Sequence, residues 1–143
     1  KHSDFANHIK KTNVKYFLFK EAEINGKVFN ELKKIKPKLI ILAGFLKKIP
    51  PLYINFFKNK IINIHPSLLP KYKGLNTYKR VLENGEKYTG CTVHFVNSKL
   101  DGGKIILQKK IKILKKDTAI SLKKRVQREE YLLYPRAIKK ILS

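Results

Sequence analysis

Asn63-Ile64-His65-Pro66-Ser67-Leu68-Leu69-Pro70 carries a short apolar run, Ile61 to Ile64, into a loop, with its polar residues placed where the run ends. In an extended chain alternate side chains share a face, so Asn63 and His65 point the same way. Pro66, with no N–H to give, ends the ladder. An amide and an imidazole therefore project together from the carboxyl end of a strand, the edge at which open α/β sheets bind ligands. The competing structural reading is a hydrogen-bonded strand end.

Outward from this strand, helix and strand alternate. Phe5 and Ile9 recur at helical spacing with Ser3 or Asp4 as cap, and Val14 to Phe19 reads as a strand. Val28, Phe29, Leu32 and Ile35 mark a helix that Pro37 ends, and Leu39 to Ala43 reads as a buried strand. Apolar strands separated by helices imply a parallel sheet covered on both faces. After the loop Pro66 to Gly74, Thr77 to Glu83 reads as a short helix stopped by Asn84-Gly85. The pattern then changes. Tyr88 to Asn97 alternates, with Cys91, Val93 and Phe95 on one face and Thr92, His94 and Val96 on the other. Gly103 to Leu114 follows the turn Asp101-Gly102-Gly103, so these two strands should pair antiparallel. Ile120, Leu122, Val126, Leu132 and Leu133 mark a last helix, capped by Asp117 and bent before Pro135. The predicted fold is α/β: a mostly parallel sheet flanked by helices, with a carboxyl-terminal antiparallel strand pair.

With 143 residues the chain is expected to form a single domain, 1–143. It starts at Lys1 and contains no methionine, so an amino-terminal portion is expected to be missing. The longest uninterrupted apolar stretch, Leu39 to Leu46, is too short to span a bilayer, so no membrane partner is expected. A lone Cys91 cannot make an intrachain disulfide, and no signal-peptide pattern opens the chain, which together suit a reducing cytoplasm. Lys+Arg 33 against Asp+Glu 10 leaves a net charge of +23. The lysines are spread over nearly every element, and only Arg80, Arg125, Arg128 and Arg136 accompany them, whereas base readers lean on arginine. No specific nucleic-acid partner is expected. Such a field would instead draw in small molecules bearing phosphate or carboxylate.

Leu100-Asp101-Gly102-Gly103 is the second place for chemistry. Asp-Gly alone is a hairpin signal, and its two glycines can adopt positive φ and bring backbone close to a ligand. If this loop folds over the end of the first strand, the Asp101 carboxylate could orient His65 and favour its imidazolium.

Leu42-Ala43-Gly44-Phe45, the run Asn63 to Leu75, Val93-His94-Phe95-Val96, Leu100-Asp101-Gly102-Gly103 and Ile106-Leu107-Gln108 closely resemble the phosphoribosylglycinamide formyltransferase family, in order and over nearly the whole chain. The resemblance implies a Rossmann-like formyltransferase fold without its first strands and glycine-rich phosphate loop. It implies 10-formyltetrahydrofolate as co-substrate, glycinamide ribonucleotide as formyl acceptor, no metal, and a monomer or homodimer. Asn63, His65 and Asp101 match the family's catalytic triad. Leu42, Leu46, Lys47, Ile49, Val96 and Asn97 match its folate site. Gln127 and Glu130 match its substrate-holding residues, and Thr92, His94 and Asn76 fall behind the triad. Asn76 departs from the family's usual histidine, which is expected to support the aspartate. Methionyl-tRNA formyltransferase and formyltetrahydrofolate deformylase are the alternatives within the superfamily; a basic nucleic-acid-binding module is the alternative outside it.

Overall fold

The computed structural model describes residues 17–45 and 47–143, which fall in two compact units divided between Lys36 and Pro37. The expected helix around Phe5 and Ile9 and the first half of the expected strand Val14 to Phe19 lie outside the described residues. Residues 17–19 are not in a strand.

In the first unit a 3-10 turn, Glu21–Glu23, runs through a π-helical stretch, Ile24–Val28, into helix α1, Phe29–Ile35. Glu23 secures the start: its carboxylate accepts from the Lys20 N–H at 2.7 Å and from Lys27 Nζ at 2.6 Å. Lys36 ends α1 with φ 49, its N–H on the Leu32 carbonyl. Pro37 follows, and a residue before proline avoids the right-handed helical region.

The second unit is built on a sheet of β1 (Ile40–Leu42), β2 (Ile61–His65), β3 (Tyr88–Phe95) and β4 (Ile105–Lys112), in that spatial order. Helix α2, Pro51–Phe56, links β1 to β2 and begins with a proline, whose missing N–H would have had no helical partner. Helix α3, Thr77–Glu83, has the bounds expected, and Gly85 (φ 60) stops it. β1 and β2 are parallel; β2 with β3 and β3 with β4 are antiparallel. The α/β class holds, the expected antiparallel pair of β3 and β4 is present, and the described sheet is mixed, since β2 also pairs antiparallel with β3. The loop after β2 is tied to the turn after α3, with the Tyr72 hydroxyl on Glu86 and Asn84 on Tyr72. The chain thus stays at the carboxyl end of β2, and β3 must enter from that end.

β3 is buried on both faces from Thr89 to His94. Cys91 and Val93 pack with Ile62, Val81, Leu122, Val126 and Ala137 in the main core, under helix α4, Ala119–Leu142. On the other face Thr92 is fully buried beneath the loop after β2. A second strand face that carries polar groups is therefore interior too. β4 begins after Lys104 rather than at Gly103, since Gly102 and Gly103 make the turn that lets the Phe95 N–H reach the Lys104 carbonyl.

Two details of α4 differ from expectation. Its cap is Thr118, which exchanges hydrogen bonds with Ser121. Asp117 instead closes the preceding turn, accepting from Leu114 N–H, Ser121 Oγ and Arg125. The helix is continuous through Pro135.

Tyr134 on α4 locks the strand ends. Its hydroxyl lies 2.7 Å from the Leu42 carbonyl and 3.2 Å from that of Ile62, so one donor serves β1 and β2 together. Tyr134→Phe is expected to cost about 1 to 1.5 kcal/mol, the net value of a partly buried hydrogen bond. Thermal unfolding of the two proteins checks this, and equal midpoints would mean that the hydroxyl contributes nothing to the tie.

Candidate active site

β2 presents Asn63 and His65 on one face, as strand alternation requires. Their partners across the β2–β3 ladder are His94 and Thr92, and residues paired directly across an antiparallel ladder share a face. Two histidines, an amide and a hydroxyl therefore line one end of the sheet.

The turn between β3 and β4 brings Asp101 over them. Its carboxylate lies 3.3 Å from His65 Nδ1, and the two side chains are 9% and 7% exposed. Asp101 also accepts the Gly74 N–H at 2.8 Å, so the loop after β2 holds the carboxylate as well. The other nitrogen of His65, Nε2, is 2.9 Å from the Tyr72 carbonyl. A carboxylate and a main-chain carbonyl thus flank the two ring nitrogens. The Asn63 amide has no hydrogen-bond partner among the described residues and remains open to a ligand.

The glycines of this turn serve differently from the expectation. Asp101 itself has φ 44, whereas neither Gly102 nor Gly103 has positive φ. Gly103 is required for space: a Cβ there would overlap the Phe95 carbonyl oxygen. The left-handed backbone at Asp101 swings its side chain inward over β2 and β3, a conformation that aspartate tolerates better than most residues.

His94 is 2% exposed. Its Nδ1 donates to the Phe95 carbonyl at 2.8 Å, leaving Nε2 facing Asp101 Oδ1 at 3.7 Å. Among the described residues, this Nε2 is the buried side-chain atom without a hydrogen-bond partner. Burial holds the ring below the ordinary imidazole range; the Phe95 carbonyl and Asp101 oppose it, while His65 and Lys73 add to it. With its Nδ1–H given to Phe95, the ring turns its other nitrogen, Nε2, toward Asp101 Oδ1.

Thr92 anchors the overlying loop. Its hydroxyl donates to the Ser67 carbonyl at 2.6 Å and accepts from the Leu69 N–H at 3.1 Å. Gln108 on β4 adds bonds of 2.9 Å to both Thr92 Oγ1 and the Leu69 carbonyl. Hydroxyl and amide together fix the segment whose main chain reaches His65 and Asp101.

The remaining expected residues lie elsewhere. Asn76 has φ 57 and starts α3 through its carbonyl. Its side chain makes no bond to Asp101, whose support comes from the Gly74 N–H. Asn97 spends its side chain on its own loop, donating to the Gly102 carbonyl and accepting from the Lys99 N–H. Leu42 ends β1, Val96 donates its N–H to the Ile61 carbonyl, Lys47 and Ile49 lie between β1 and α2, and Leu46 is outside the described residues. Gln127 lines an open cavity of about 480 Å³ with Asn76, Tyr78, Lys79, Lys123 and Lys124; none of Asn63, His65 and Asp101 lines it. Glu130 is half-buried on α4, its carboxyl pushed up by burial against the pull of Lys123. Burial first, then Glu130 and Glu129, push the Cys91 thiol up to about 12.

Sequence reading missed the Tyr72 carbonyl and the Gly74 N–H. Main-chain groups carry no residue signature, and Lys-Tyr-Lys gives no sign of a left-handed tyrosine; only Gly74, with φ 79, was a legible hint.

The mixed α/β sheet and the polar residues at its strand end belong to a defined class: the chain is a member of the formyl transferase family, which matches residues 3–138. Its fold is Rossmann-like. Within that family it is similar to phosphoribosylglycinamide formyltransferase of Haemophilus influenzae, 45% identical over 117 residues that make up 82% of this chain and 55% of the relative. The Escherichia coli protein of the same name is 40% identical over 111 residues, 78% of this chain and 52% of that one. The crystal structure of phosphoribosylglycinamide formyltransferase from Anaplasma phagocytophilum superposes with a TM-score of 0.87 at 36% identity, covering 94% of this chain and 66% of that one. The chain spans about half the length of the curated relatives it matches.

Proposed function

We propose that this chain serves the transfer of a formyl group from 10-formyltetrahydrofolate to the amino group of glycinamide ribonucleotide, a step of purine biosynthesis. The observation that carries the reading is the buried Asp101–His65 pair beside an uncommitted Asn63 amide, in a chain similar to proteins named for this activity.

The amine nitrogen attacks the formyl carbon, and the formyl oxygen gathers negative charge. Asn63 and the His65 ring supply N–H donors to that oxygen, and Asp101 holds the ring in place. The attacking nitrogen must lose a proton, and Asp101 Oδ1, with His94 Nε2 behind it, offers a place for one. Collapse of the tetrahedral species breaks the bond from the formyl carbon to the folate N10, which takes up a proton and leaves as tetrahydrofolate. In this reading Leu42, Leu46, Lys47, Ile49 and Val96 contact the folate, Asn97 shapes the adjoining loop, and Gln127 and Glu130 hold the ribonucleotide. The high positive charge speeds the encounter with two anionic substrates.

The chain, joined to the amino-terminal segment of the Haemophilus influenzae relative, is expected to consume 10-formyltetrahydrofolate only when glycinamide ribonucleotide is present. Consumption without the amine would identify a hydrolase instead, and a folded protein inert towards both would overturn the assignment.

A further inference from the structure

The loop after β2 touches His65 with its main chain, and one side chain on the far side of that loop holds the main chain in place. Tyr72 has φ 57, a left-handed backbone that costs a bulky residue on the order of 1 kcal/mol or more and persists only where its surroundings impose it. Those surroundings are specific. The Tyr72 hydroxyl donates to Glu86 Oε1 at 2.9 Å and accepts from Asn84 Nδ2 at 3.0 Å. The Arg80 guanidinium lies 5.5 Å from the ring centroid. Lys71 Nζ, 2.9 Å from the same Glu86 oxygen, keeps that carboxylate charged; its hydrogen bond and that of Tyr72 hold the Glu86 carboxyl below its ordinary value. At the other end of the same residue, the Tyr72 carbonyl receives His65 Nε2–H.

We propose that Tyr72 and Glu86 are positioning residues for His65: the phenol, gripped by Glu86, holds the Tyr72 carbonyl against Nε2 of the imidazole. The inference rests on the reading of His65 as a donor to the reacting oxygen. Its catalytic sense follows from differential binding. An Nε2–H already bonded to a carbonyl gains little by exchanging it for the neutral formyl oxygen of bound substrate, since the two acceptors are nearly equivalent. It gains more from the oxyanion, a stronger acceptor. The Tyr72 carbonyl is thus a resting partner that favours the transition state over the ground state. Together with Asp101 it also fixes the ring plane before substrate arrives.

The test compares Glu86→Ala with Glu86→Gln, which keeps an oxygen acceptor for the phenol. In the 143-residue chain, labelled with nitrogen-15, NMR is expected to give a slowly exchanging His65 Nε2–H signal. Glu86→Ala should lose that signal and Glu86→Gln retain it. In the joined, active protein Glu86→Ala should lower kcat by about tenfold, the scale of a small misplacement of a catalytic group, while KM for 10-formyltetrahydrofolate changes less than about twofold. Glu86→Gln should recover most of the loss. If Glu86→Ala does not fold, Tyr72→Phe, which removes only the hydroxyl, yields the same readings. An unchanged His65 signal in the alanine variant, or a loss of kcat not recovered by glutamine, would overturn the proposal. Failure of the functional reading is separate: turnover surviving in His65→Ala would sink that reading whatever Glu86 does.

Discussion

Replacing His65 with alanine, in the chain joined to a relative's amino-terminal segment, is expected to cut turnover by about a hundredfold or more, as loss of a positioned donor or acid-base group does. Asp101→Asn should cost a similar factor by a different route. The asparagine oxygen can still take the Gly74 N–H that now bonds Asp101, so the loop should stay closed. What disappears is the negative charge 3.3 Å from His65 Nδ1, and with it the anionic partner that faces the ring. Neither substitution removes a group from the main core cluster, so the far-ultraviolet circular dichroism and the unfolding midpoint should stay close to those of the parent. Rates within a few-fold of the parent in both variants would remove His65 and Asp101 from the mechanism. A loss in His65→Ala alone would leave the imidazole acting without its carboxylate.

Gly103→Ala should have the largest structural effect of any single methyl added at the site. The new Cβ would overlap the Phe95 carbonyl oxygen, and backbone cannot step aside as a flexible side chain can. The Phe95 N–H to Lys104 carbonyl bond, 2.9 Å long, closes the same turn and would be forced apart with it. Destabilisation of about 3 kcal/mol is expected, the upper part of the range for an overpacked interior, and Asp101, two residues away, should lose its position over β2. Gly26→Ala is the control, since among the described residues a Cβ there meets nothing within 4 Å and the backbone is not left-handed. Urea unfolding of the pair decides the matter: equal stabilities would show that the turn can relax around the methyl group.

These effects bear on what could be read in advance. The Asn63 and His65 pairing was legible because strand alternation is a local rule, and the proline after it marks the strand's end. Thr77 to Glu83 was legible for the same kind of reason, with an Asn-Gly stop carrying its own signal. By contrast, the cap of α4 falls on Thr118 because its hydroxyl meets the Ser121 N–H, while Asp117 is drawn away by Arg125 two turns along the helix. Choosing between two adjacent capping residues depends on a partner that only the folded helix supplies. The alternation of β3 likewise identified its two faces without revealing that both would be buried. Burial of the polar face comes from a loop whose hold on Thr92 spans 23 to 25 residues of chain.

The order of the residues was enough, by itself, to determine an α/β chain, the strand end that bears Asn63 and His65, and the turn that bears Asp101. Each of these follows from spacing within a few neighbouring residues. Tertiary structure alone decided that Asp101 rather than its glycines takes the left-handed backbone, that the Gly74 N–H rather than Asn76 supports its carboxylate, and that the Tyr72 carbonyl meets the far side of His65. Those contacts are made by main-chain groups, which every residue possesses, so no pattern of side chains announces them; they exist only once the loop after β2 and the turn after β3 close over the same end of the sheet.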